Sequence, residues 1–173
     1  MLIKIGPSNE PSDIVGLLGA CHDRIRFFID LAVRLAATTD ASDEEIREAA
    51  TRVTRYFSES LPLHVADEEE TVIPRLSGRE PALDATLQAM HREHAEHEPQ
   101  LELLLKSCRI LQSFPEQLPA LRQILHDAAS KLREDFNAHL REEENVVLPA
   151  IESLLNDAER EAMLSELRAR RSG

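Results

Sequence analysis

The chain is 173 residues long, enough for one domain with a substantial core, and its 42% apolar and 30% charged residues with five glycines favour helix over sheet. The formal charge of −12 leaves no basic surface to neutralise phosphates, which argues against a nucleic-acid partner. Two cysteines, Cys21 and Cys108, form neither a CxxC pair nor a disulfide framework, so a reduced, cytoplasmic protein is expected. The stretch MLIKIGPSNEPSD lacks the apolar segment of a signal peptide, and no run approaches the length of a membrane span.

Residues 1–11, with Gly6, Pro7 and Pro11, read as a loop. Ser12 or Asp13 can cap a first helix reaching about Ala37; its apolar stripe is Val15, Leu18, Ile25, Ile29, Ala32 and Ala36, with His22 inside it. After the polar loop 38–43, with Ser42 or Asp43 as cap, a second helical stretch runs from about Asp43 to Ile73. Its stripe passes through Ile46, Ala49, Val53, Phe57 and Leu61 to His64, Glu68 and Val72, and Pro62 predicts a kink or brief break. A third helix starts near Pro81 and reaches about Gln112, carrying Met90, His94, His97 and Leu101 on its stripe, with a kink expected at Pro99. A fourth runs from about Leu118 to Leu155 through Leu132, Phe136, His139, Glu143 and Val146, with a kink expected at Pro149. Residues 157–170 read as a short charged helix with Met163, Leu164 and Leu167 as apolar contacts, covering the bundle end or a homodimer interface, and the last residues are expected to fray. The pattern predicts an all-α, up-down-up-down four-helix bundle with a short additional C-terminal helix, one domain over 1–173 with its core at about 12–155.

One stretch occurs twice. LPLHVADEEETVIP (61–74) is answered by FNAHLREEENVVLP (136–149), with His64, Glu68, Glu69 and Pro74 matched by His139, Glu143, Glu144 and Pro149 at a constant offset of 75. A His four residues before a Glu places both on one helix face, one turn apart. A lone His on an apolar stripe is usually a core His with one hydrogen bond, and a lone HxxxE is often an exposed pair. Four stripes that each carry a His, two with a Glu one turn further, change that balance. Two neighbouring buried carboxylates cost on the order of several kcal/mol per ion unless a cation compensates them. Imidazole and carboxylate without convergent thiolates suit non-haem iron, ahead of manganese or zinc. Six ligands exceed a closed structural zinc site and favour two ions with open positions for solvent, an oxo or hydroxo bridge, or an external ligand.

On these residues the chain resembles a hemerythrin-like (HHE cation-binding) domain. The resemblance rests on His22, on His64 and Glu68 with Glu69 and Pro74, on Glu93–His94 after Met90, and on His139 and Glu143 with Pro149, and it covers about residues 12–155. It implies a four-helix bundle holding two non-haem iron ions, with His22, His64, His94 and His139 as terminal ligands and Glu68 and Glu143 as bridges. The oxygen-carrying members have a second His one turn after the first on their third helix, where this chain has Glu98. His97 or His91 as a fifth His, or Glu98 as a further carboxylate, are the additional ligand candidates; otherwise the two histidines are supporting or solvated groups. A missing fifth His leaves iron more open and weighs against simple reversible oxygen carriage. Glu69, Glu70, Glu142 and Glu144 read as a solvated face, with orientation of ligand imidazoles as the alternative. Cys21 points about 100° away from His22 on its helix and is not assigned as a ligand; His126 reads as surface.

The functional expectation is binding, sensing or detoxification of dioxygen, nitric oxide or peroxide at a di-iron site. Peroxide turnover or ferroxidase-type iron handling is the enzymatic alternative. Iron delivery or repair ranks third, for lack of an N-terminal cysteine motif, and a metal-free structural bundle ranks last.

Overall fold

The computed structural model describes residues 11–172, so the loop expected over residues 1–11 lies, except for Pro11, outside it. Helix α1 (Ile14–Ala37) is capped by Asp13, whose Oδ1 accepts the Gly16 N–H at 2.8 Å. Helix α2 covers residues 43–76 and opens with a capping box in which the Ser42 and Glu45 side chains each accept the other's backbone N–H. Gly78 turns the chain at φ 77°, a conformation that favours glycine. Helix α3 (Pro81–Ser113) begins on its proline, and a short 3₁₀ turn (Pro115–Gln117) leads into α4, residues 118–154. A second reciprocal cap, between Asn156 and Glu159, starts α5 (Asp157–Ser172).

Helix α1 packs against α2 and α4, and α3 packs against the same two, which closes the four-helix bundle; no strand occurs among the described residues. The core divides in two. One cluster gathers Ile25, Ile29, Val53, Phe57, Leu104, Leu132 and Phe136. The other gathers Leu18, Val72, Leu76, Leu87, Met90 and Ile151 with Met163 and Leu167 of α5. On every bundle helix the site histidine falls in sequence between members of the two clusters, so the apolar halves sandwich a polar layer.

The prolines shape that layer. Pro62, Pro74 and Pro149 neither break nor end their helices. Each is preceded by a five-residue π-helical turn: Tyr56–Ser60, Glu68–Val72 and Glu143–Val147. A proline ring displaces the carbonyl four residues back, and the helix absorbs this by widening for one turn. The N–H of Leu61, Ile73 and Leu148, the residue before each proline, then reaches five back to the carbonyls of Tyr56, Glu68 and Glu143. The break anticipated at Pro62 is therefore a wide turn inside a continuous helix. Helix α3 runs unbroken through Pro99; Ala95, whose carbonyl loses its partner there, is exposed and open to water.

Fraying at the C-terminus does not occur within the described residues. Helix α5 continues to Ser172, because Arg170 and Arg171 are tied to Asp67, a carboxylate with no exposed surface on α2. The apolar side of α5 packs on its own bundle. Among the described residues no helix is long and apolar enough to cross a membrane.

Candidate metal centre

Each HxxxE motif sits where an α-helical turn gives way to a π turn, and Glu68 and Glu143 are the first residues of their wide turns. Their carboxylates aim in two directions at once. Glu68 Oε1 lies 2.8 Å from His64 Nε2, and its Oε2 lies 2.8 Å from His94 Nε2. Glu143 Oε2 lies 3.1 Å from His22 Nε2, and its Oε1 lies 2.9 Å from His139 Nε2. The imidazoles themselves form two pairs, His22 with His64 at 5.3 Å between ring centroids and His94 with His139 at 5.1 Å. Two ligand clusters result, one of His22, His64, Glu68 and Glu143, the other of Glu68, His94 and His139. All are buried except His94, which is partly exposed.

The donor set fits a cation. His64 Nε2, both oxygens of Glu68, His94 Nε2 and Glu143 Oε1 are buried without an aligned hydrogen bond, although they crowd one another. An unpaired buried polar atom costs about 1–3 kcal/mol. Five converging on one space are what a metal ligated through lone pairs would satisfy.

The outer nitrogens of three histidines are fixed by carboxylates. His22 Nδ1 meets Glu144 Oε1 at 3.1 Å, and Arg26 grips Glu144 through both guanidinium nitrogens at 2.7 and 2.9 Å. His94 Nδ1 meets Glu69 Oε1 at 2.6 Å, and His139 Nδ1 meets Glu93 Oε2 at 2.6 Å. Such contacts set ring orientation and leave Nε2 facing inward. The solvated-face reading therefore fails for Glu69 and Glu144; Glu70 and Glu142 are exposed, as expected. His64 differs. Its outer neighbour is the Cys21 thiol, which lies beside the ring without aligned hydrogen-bond geometry at Nδ1 and accepts from Arg171 Nη2 at 3.4 Å.

None of the additional ligand candidates joins either cluster. His91 is exposed and bonds Glu69 Oε2 at 2.8 Å. His97 is buried in the wall of a cavity of about 280 Å³ beside His64, His94 and His139, with Phe57, Leu61, Leu101, Phe136 and Leu140 as apolar lining. Glu98 is exposed and borders the same cavity. His126 is on the surface.

Sequence reasoning missed Asp67 and its partners. Arg170 Nη1 donates to Asp67 Oδ1 at 2.6 Å, and Arg171 Nη2 to Oδ2 at 2.5 Å. Asp67 stands one residue before Glu68, so α5 holds the helix beside the centre.

Electrostatics couple the layer. Burial works against a charged His139, but the Glu143 carboxylate, with Glu68 and Glu93, pushes it up to about 9. His64 and His94 are likewise raised, burial opposing and Glu68 prevailing in each. Burial raises Glu68, but His64 and His94 hold it well below the usual carboxylate range. Protons thus compete with a metal for these nitrogens above the ordinary imidazole range. Apparent metal affinity should climb as pH rises from about 6.5 to 9. For the metal-free protein the sign is opposite. A raised His contributes stability that is full below the unfolded value of about 6.5 and lost as pH rises through the folded one. Chelator competition and melting curves at several pH values check both; an affinity already flat below pH 6.5 would contradict this.

The family model of the hemerythrin HHE cation binding domain matches residues 13–151. The chain belongs to this family: it is a hemerythrin-like cation-binding domain, with a His/Glu cluster suited to metal. No curated protein and no solved structure matches the chain significantly.

Proposed function

We propose that the polar layer holds two iron ions, and that the adjoining cavity takes a small ligand: dioxygen, nitric oxide or peroxide. The observation that carries this reading is the division of each buried carboxylate between two imidazole pairs. His22 and His64 would serve one ion, His94 and His139 the other, and Glu68 and Glu143 both. Nitrogen and oxygen donors without a thiolate in either cluster favour iron, and when bound it would supply redox change and open positions for an external ligand.

The chain's own residues do the rest. Glu144, Glu69 and Glu93 hold three imidazoles in one orientation, which limits rearrangement when the charge at the centre changes. Phe57, Leu61, Leu101, Phe136 and Leu140 give the cavity apolar walls, which leave room for a small ligand and disfavour bulk water.

The test is exposure of reduced, iron-loaded protein to nitric oxide, and of oxidised protein to hydrogen peroxide, followed optically. Saturable binding near one ligand per chain supports a binding or sensing domain. Sustained peroxide loss beyond stoichiometry would instead make it an enzyme, and iron-loaded protein inert to both would overturn the ligand-binding reading.

A further inference from the structure

We propose that His97 is a hydrogen-bonding group for the outer atom of the ligand in this cavity, and not a fifth metal ligand. This rests on the metal centre proposed above and assigns a residue that selects among its ligands.

Four observations converge on His97. It is 8% exposed, and its side chain lines the cavity between the metal cluster and the apolar wall. No protein group among the described residues makes a hydrogen bond to its ring, and neither ring nitrogen is among the fully buried unpartnered atoms, so the ring stays open to a small molecule from the cavity or from the cleft beside Glu93 and Asp135. The ring is wedged edge-on against Phe136 at 4.9 Å and against His139 at 5.6 Å between centroids, which fixes its plane. It also lacks the outer carboxylate that steadies His22, His94 and His139, which a metal-bound imidazole commonly has.

A neutral imidazole carries one N–H, so the ring can donate one hydrogen bond into the cavity. In an apolar cavity such a donor favours ligands whose terminal atom carries electron density, such as azide, dioxygen or hydroperoxide. It gives little to a ligand without an acceptor at that end. Its neighbour Glu98 is exposed and borders the cavity, where it can meet arriving ligands but is not held against the cluster.

The experiment compares wild type, His97→Leu and His97→Gln as iron-loaded, oxidised full-length protein, using azide as probe. Iron content and helicity are measured first, then the azide Kd by optical titration. The expected result is iron content equal to wild type in both variants. Azide Kd should rise about tenfold in His97→Leu, equivalent to about 1.4 kcal/mol, with His97→Gln between the two. Lower iron content in both variants with normal helicity would make His97 a ligand and overturn the proposal. Unchanged azide Kd at full iron would reduce His97 to a wall residue and overturn it as well. Wild type that takes up no metal would overturn the metal centre itself, and this inference with it. If His97→Leu fails to fold, His97→Gln carries the test: its azide Kd must exceed that of wild type, or the proposal falls.

Discussion

Glu68→Ala and Glu143→Ala should each strip metal from the whole centre rather than from half of it. Each carboxylate faces one imidazole of each pair, so its loss removes a donor that both imidazole pairs share. Removing a group that only orients a ligand costs about 10–100-fold in metal affinity, and the loss of a shared ligand should exceed that. Helicity should change little, because the apolar clusters on either side of the polar layer stay intact. Glu68→Gln keeps the volume and one acceptor oxygen but removes the charge, which separates lost ligation from a lost side chain. Metal analysis after dialysis, alongside circular dichroism, reads the result. Either alanine variant retaining two metals per chain would show that the carboxylates do not bridge.

The second large effect is on stability. Arg170→Ala with Arg171→Ala would leave the Asp67 carboxylate buried without a cation. Breaking a buried pair in this way costs about 3–5 kcal/mol, less here because both arginines are partly exposed. For a chain of this size about 1 kcal/mol corresponds to roughly 2–4 °C in Tm, so a fall of about 10 °C is expected. Asp67→Asn in the same background should recover most of it, since the unpaired charge is then gone. Thermal melts of the metal-free variants measure this directly. An unchanged Tm in the double variant would mean that water reaches Asp67 and that α5 is held by Met163 and Leu167 alone.

What the sequence showed, and where it stopped, follows from which interactions are local. Helix spans, the Ser42 cap and the four histidines on apolar stripes depend on residues a few positions apart, so periodicity revealed them. The repeat at an offset of 75 revealed the matching HxxxE motifs. The π turns were hidden, because a proline inside a helical pattern permits a kink, a break or a widened turn, and only packing chooses among them. Glu69 and Glu144 looked solvated because adjacent residues on an ideal helix diverge; in the structure each contacts a histidine on another helix. Asp67 and the arginine pair lie about 100 residues apart, and nothing local marks a carboxylate whose partners arrive on the last helix. Frayed ends are the ordinary expectation for a charged terminus, and the buried Asp67 overrides it.

The most direct test of the metal centre is metal content with an optical spectrum, on protein purified without oxygen and then exposed to air. The predicted result is two irons per chain, as the paired clusters imply, with near-ultraviolet bands that develop on oxidation. Stoichiometric zinc, or a fully folded protein that takes up no metal, would contradict it and leave a structural bundle in place of a redox centre.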